Sequence, residues 1–236
     1  MEKRRKEPRV AIPVYGRGLL SGIPDEFFKR PAIFTQPEPW EIVRESFAGD
    51  AKPVFVTTMD HGVVGELAAA ATGASAVLGI GGGSAMDMAK YAAWKNALPL
   101  ALLPTILSVD AAFTKAIAVR KGSRVRYFGE VFPDYLLIDF GILRQSPAIL
   151  NKSGVGDILS IFSALWDWKE AHQRLGEFYD PEIAAGARDL LDRLFAGADE
   201  IRDVTDEGLR LISELYAGEV RLCELVGNSR PEEGSE

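Results

Sequence analysis

The sequence predicts an α/β fold with a parallel sheet over residues 1–145, followed by an all-α region over 146–236, and three observations predict it. Between residue 31 and about 140, short apolar runs alternate with amphipathic stretches, the rhythm of β-α-β units. Those runs show no polar alternation, as expected of strands covered on both faces. After Arg144 the apolar residues recur at helical spacing instead.

Taken in order, the candidate strands are Ala32–Thr35, Val54–Thr57, Ala76–Ile80, Leu100–Leu103, Ile117–Val119 and Tyr135–Ile138, each bounded by Gly, Pro or Asp. Helices are expected near Trp40–Phe47, Val63–Ala71 and Ala85–Lys95. In the all-α region the helical period is carried by Ile158, Leu159, Phe162, Leu165 and Trp166, then by Ile183, Ala187, Leu190, Leu191 and Leu194. Ile212, Leu215, Tyr216, Leu222 and Cys223 carry it last. Pro147 and Pro181 stand where helices can begin, because a first-turn residue needs no N–H. The closing GNSRPEEGSE has no periodicity.

Composition narrows the function classes. With 47% hydrophobic and 26% charged residues the chain can bury a core, and no apolar run approaches the roughly 18 residues of a membrane span. The opening MEKRRKEPRV has the charge of a signal peptide, but AIPVYGRGLL behind it is broken by Pro13, Gly16 and Arg17. The single cysteine, Cys223, excludes an internal disulfide and reads as a core thiol in a reducing, cytoplasmic setting. A net charge of -7 argues against nucleic acid as a partner.

The most informative segment is AVLGIGGGSAMDMAKYAAWK, residues 76–95, which reads strand, glycine loop, helix. Consecutive glycines let the backbone approach a ligand, and the helix behind them offers free N–H groups to a phosphate. Ser84 with Asp87 also fits a capping box, so a tight turn with a capped helix is the other reading of the same residues.

GGGSAMDMAK, followed by LPTILSVDAAFT, resembles the iron-containing alcohol dehydrogenases, and within them the glycerol and sn-glycerol-1-phosphate dehydrogenases. SPAILNKSGVGDILSIFSALWDWKEA is similar to the opening of that family's helical domain, and SRPEEGSE to the segment preceding a metal-binding histidine. The resemblance implies a Rossmann-like dinucleotide-binding domain over 1–145 and an incomplete helical metal and substrate domain over 146–236. It implies NAD or NADP held by Gly82, Gly83, Ser84, Asp87, Thr105, Ser108 and Thr114. It further implies a substrate hydroxyl contact from Asp110 and a carboxylate ligand, Asp157, for a divalent metal, Zn2+ or Fe2+. Read without the family, Asp157 is a first-turn aspartate opposing the helix dipole. The implied reaction is oxidation of a small polyol or glycerol phosphate, the metal stabilising alkoxide character and the dinucleotide taking hydride.

Two departures accompany the resemblance. Neither histidine is at a ligand position: His172 falls 15 residues after Asp157 on one expected helix, about 22 Å away at ~1.5 Å per residue, and His61 belongs to the first region. The chain is therefore expected to be a truncated member, inactive alone, completed by a C-terminal half or by self-association. The first strand ends in Thr35-Gln36-Pro37, where many NAD-selective folds place an acid, and Asp60 after the second strand is a weak substitute. Two other classes stay open: a 3-dehydroquinate synthase-like lyase, suggested by Lys115 after Asp110, and a non-catalytic dinucleotide-binding module.

Overall fold

The structure, a computed structural model, describes residues 10–47 and 51–227. The basic stretch over 1–9 and the SRPEEGSE segment lie outside the described residues. In chain order come β1 (Pro13–Gly16), α1 (Asp25–Phe28), β2 (Pro31–Thr35), α2 (Pro37–Val43), β3 (Val54–Phe55) and α3 (His61–Ala69). Next are β4 (Ala76–Gly81), α4 (Gly83–Asn96), β5 (Leu100–Pro104), β6 (Ala116–Lys121), β7 (Arg124–Glu130), β8 (Tyr135–Asp139) and α5 (Phe140–Leu143). The chain then runs through α6 (Ala148–Lys152), α7 (Gly154–Leu175), α8 (Pro181–Ala196), α9 (Ala198–Arg202) and α10 (Asp206–Val226).

Among the described residues, one parallel sheet forms in the order β1-β8-β5-β4-β2-β3. Its central strands β4 and β5 are buried along their whole length, as their unbroken apolar runs require. On one face Phe34, Val77 and Leu102 meet α4, and the same apolar cluster continues into Ile158, Leu190, Leu215 and Tyr216 of the later helices. On the other face Ile33, Leu78, Ile80 and Leu103 form a second cluster with Leu20, Ile23 and Val43. Gly79 makes the α4 contact close: a Cβ there would stand 2.6 Å from that of Ala89.

The parallel sheet and the helical array agree with the sequence reading, and three details differ. Ile117–Val119 is a strand, but it lies in β6, which pairs antiparallel with β7 outside the main sheet. β1 and β7 were not anticipated, since β1 is bounded by Pro13 and Gly16, and β7 (RVRYFGE) is a largely exposed, charged hairpin arm. The apolar stripe of α7 is divided: Ile158 and Ile161 are buried, whereas Leu159, Phe162 and Trp166 are 38%, 71% and 65% exposed. Asp180 caps α8 ahead of Pro181 by accepting from Glu182 and Ile183 N–H groups, which is why that helix starts there. No helix among the described residues is long and apolar enough to cross a membrane.

Candidate functional site

Because every strand of the main sheet is parallel, their carboxyl ends share one edge. That edge carries Gln36 after β2, the glycine turn after β4 and Thr105 after β5. From β2 the chain moves outward to β3, then returns to place β4 on the other side of β2, so the direction of winding reverses between β2 and β4. Ligands of open α/β sheets bind at such a reversal.

Gly82 is the N-cap of α4 and no side chain caps that helix. The capping box expected of Ser84 and Asp87 is therefore corrected: Ser84 is exposed, and Asp87 turns inward to Lys90. A Cβ at Gly82 would stand 3.0 Å from the Ile106 side chain, and one at Gly83 3.0 Å from that of Val109, so the glycines let the 106–109 loop pack directly against the turn. Uncapped amides and positive helix potential fit a dinucleotide's diphosphate.

Below the turn, Lys90 is wholly buried. Its ammonium pairs with Asp87 at 2.8 Å and donates to the carbonyls of Ala116 at 2.5 Å and Thr114 at 3.2 Å. Asp87 also accepts from Ala118 N–H at 3.3 Å; burial raises its pKa, and Lys90 opposes that rise. This pair ties α4 to the start of β6 and so positions Thr114, which is half-buried. Thr105 is buried, its N–H donating to Gly81 and its carbonyl accepting from Ser146 Oγ; Ser108 is half-buried in the loop beyond.

That loop is held from the helical side. Leu107 N–H donates to Asn151 Oδ1 at 3.0 Å, and Tyr216 Oη donates to the Leu107 carbonyl at 3.2 Å. Gly154 opens α7 where any Cβ would strike both the Leu107 carbonyl and the Tyr216 hydroxyl. The consequence is that Asp157, in the first turn of α7, accepts the Asp110 N–H at 3.2 Å. The two carboxyl-bearing residues named for substrate and metal thus meet.

Their surroundings are poor in positive charge. Burial, then the neighbouring Asp157, pushes the Asp110 carboxyl up to about 6, and burial raises Asp157 as well. Glu219, on α10, faces both; burial, Asp110 and Asp157 push it up to about 8, and its Oε2 has no hydrogen-bond partner among the described residues. A cavity of about 280 Å3 is lined by Asp87, Asp110, Thr114, Tyr127, Ala118 and Cys223. A larger one, about 1120 Å3, opens on the other face of the sheet among Ser21, Lys29, Arg30 and Lys52, and none of the predicted site residues line it.

The structure thus gathers Asp87, Asp110 and Thr114 around one cavity, with Asp157 alongside, and sets Gly82, Gly83, Ser84, Thr105 and Ser108 at the sheet edge above. It adds Lys90, Tyr127 and Glu219, which sequence reasoning missed. His172 is on the same continuous α7 as Asp157 and contacts the Glu177 carbonyl, while His61 begins α3 against Phe128. Among the described residues no group of three His, Cys, Asp or Glu could hold a metal ion, so these residues do not by themselves fit the metal. Asp60 caps α3 through Gly62 N–H, and Lys115 is ion-paired with Glu130 and Glu224.

A family model described as iron-containing alcohol dehydrogenase matches residues 40–147. The glycerol-1-phosphate dehydrogenase (NAD(P)+) of Thermofilum pendens is 30% identical over 251 aligned residues, which cover 97% of this chain and 70% of that protein. The chain belongs to the iron-containing alcohol dehydrogenase family. Other members similar to it are the glycerol-1-phosphate dehydrogenases of Methanothermobacter thermautotrophicus, 32% identical over 70% of this chain, and of Staphylothermus marinus, 32% identical over 84%. The chain spans about half the length of these two relatives, 47% and 53%. In fold it is similar to a probable glycerol dehydrogenase from Sinorhizobium meliloti, with a TM-score of 0.71 at 20% identity, covering 93% of this chain and 67% of that one.

Proposed function

We propose that this chain is the dinucleotide-binding unit, residues 1–145, and adjoining helices, 146–236, of an NAD(P)-dependent dehydrogenase acting on a polyol or glycerol phosphate, with sn-glycerol 1-phosphate as the favoured substrate. The observation that carries the reading is the uncapped glycine turn at the winding reversal, on the sheet edge that leads to the Asp110–Asp157 contact. The similarity to glycerol-1-phosphate dehydrogenases supports that choice of substrate.

When bound, an oxidised nicotinamide would supply the acceptor for hydride from the carbinol carbon. The turn amides of Gly83 and Ser84 receive the diphosphate, and the loop with Thr105 and Ser108 borders the cofactor's path. Asp110 accepts the hydrogen bond of the substrate hydroxyl. Lys90 and Asp87 hold the backbone from which Thr114 faces the same cavity. Asp157 would supply one carboxylate to a divalent ion, with the remaining donors brought by a complementing C-terminal half or a second copy.

The test is titration of the chain with NAD+ and NADP+, followed by calorimetry. Binding is expected, and Gly83→Val, which crowds the Val109 side chain at the turn, should weaken it at least tenfold while circular dichroism is unchanged. Absence of any dinucleotide binding by the wild-type chain ends the proposal. Turnover is expected to be undetectable with the chain alone; sustained oxidation of glycerol 1-phosphate would refute that part.

A further inference from the structure

The crossover from β1 to β2 covers only part of the sheet. β1 pairs with β8 at one edge, whereas β2 lies beyond β5 and β4, so residues 17–30 pass over β8, β5 and β4 on the face opposite α4. They do so with a 3-10 turn (Leu19–Gly22) and with α1, whose 4 residues span about 6 Å against the roughly 16 Å of a five-residue strand. Leu20, Ile23 and Phe27 cover what they reach. Beside them lies the cavity of about 1120 Å3, open between this crossover, α2 and α5.

Its lining is divided by chemistry. Leu20, Ile23, Ile33, Ile42 and Ile142 give an aliphatic floor, and Phe47, the aromatic ring beside them, already packs against Trp40. Such a floor suits a saturated chain. Lys29 and Arg30 stand just before β2 and Lys52 just before β3, all three exposed at the rim. The Arg30 guanidinium is held there by the Gly73 carbonyl. Of the two acids in the lining, Asp139 is 1% exposed, and its carboxylate accepts from the Leu19, Gly141 and Ile142 N–H groups, which leaves Asp25 alone against those cations. On a chain of net charge -7, a local excess of positive charge beside an aliphatic floor selects for an anion with an apolar body.

We propose that this cavity binds a saturated chain ending in an anion, a carboxylate or a phosphate, with the chain on the aliphatic floor and the anion at Lys29, Arg30 and Lys52. The volume is that of a small-molecule site. It shares no lining residue with the Asp110 cavity, so the proposal stands apart from the dinucleotide reading. The 236-residue chain is titrated calorimetrically with hexanoate, decanoate, decyl phosphate and decanol, each below its micelle-forming concentration. The titrations are repeated with saturating NAD+ and on two paired variants. Lys29→Glu with Lys52→Glu reverses the rim charge. Phe162→Ser with Trp166→Ser removes the exposed apolar face of α7, the other place where an alkyl chain could settle.

Decanoate or decyl phosphate should bind, and the tighter of the two identifies the head group. Decanoate should bind at least tenfold more tightly than hexanoate, because each buried methylene contributes roughly fourfold. Decanol, which has the chain without the charge, should bind at least about fivefold more weakly than the better anion. The lysine pair should weaken that anion at least about tenfold, while decanol stays within about twofold and the thermal midpoint of the free chain within about 2 °C. The α7 pair and NAD+ should each leave the anion's affinity within about twofold. Failure of both ten-carbon anions to bind overturns the proposal. So does binding that survives in the lysine pair and is lost in the α7 pair, which would place the alkyl chain on α7.

Discussion

The glycine turn with α4 and the carboxylate pocket between α7 and α10 lie within one molecule and are built on opposite electrostatic terms. Around α4 the buried charges are matched: Lys90 answers Asp87, its remaining hydrogens go to two carbonyls, and only uncapped amides are left facing outward. In the pocket, burial raises the proton affinity of Asp110, Asp157 and Glu219, Asp157 adds to the rise at Asp110, both aspartates add to the rise at Glu219, and one Glu219 oxygen has no partner among the described residues. The first region presents the positive end of α4 without a side-chain cap. The second is stabilised by added protons or positive charge. The difference teaches that, on the proposed function, dinucleotide binding needs only these residues while the carboxylates need an added positive charge beside them.

The strongest way to break the comparison is to unmatch the matched side. Lys90→Met leaves Asp87 buried and unpaired and leaves the Ala116 and Thr114 carbonyls without their donor, which should cost about 3–5 kcal/mol. Urea denaturation of the wild type and variant measures it. Adding Asp87→Asn to Lys90→Met should recover part of the loss, because the uncompensated charge is gone. A single variant as stable as wild type would mean that the α4 side is not held by this pair.

The pocket should respond in the opposite sense. Glu219 keeps its proton in the folded chain up to about 8, against 4.5 for an ordinary glutamate. Between those values the folded state binds more protons than the unfolded one, so this group's contribution to stability is complete below 4.5 and is lost as pH rises through about 8. The groups facing it are Asp110, Asp157 and, one turn away on its own helix, Cys223, itself raised to about 11 by burial and then by Glu219. Glu219→Gln should therefore raise the thermal midpoint at pH 9 by about 3 °C or more, and change it little at pH 5. Equal effects at both pH values would remove the charge argument.

What could be read in the sequence followed from local rules. β4, the glycine turn and α4 announce themselves by an apolar run, three glycines and an alanine-rich helix, all chemistry that neighbours in sequence can specify. Asp110 and Asp157 were named only because a family resemblance linked them; forty-seven residues separate them, and their contact depends on Gly154 letting α7 close on Leu107. Lys90 was passed over because a helical lysine is ordinarily solvated, and nothing local shows that β6 will cover it. Glu219 is one acid among several in α10, and only docking of that helix against the 107–113 loop distinguishes it from Glu214, which pairs with Arg193. Tyr127 belongs to a hairpin whose second strand the charge pattern concealed.

The smallest effect should come from Asp157→Asn, and its smallness is what sharpens the comparison. The asparagine keeps the shape and an oxygen able to accept the Asp110 N–H. Removing a negative charge from the first turn of α7 costs roughly 0.3–1 kcal/mol through the helix dipole. Removing the repulsion with Asp110 and Glu219 offsets it by a similar amount, since Asp157 is half-buried and partly screened by water. The thermal midpoint should therefore stay within about 2 °C of wild type. NAD+ affinity should stay within about threefold, because the proposed diphosphate site is the turn and not this pocket. If the same substitution lowered the midpoint by more than about 5 °C, or weakened NAD+ tenfold, the turn and the pocket would be one cooperative site, and the division drawn between them would not hold.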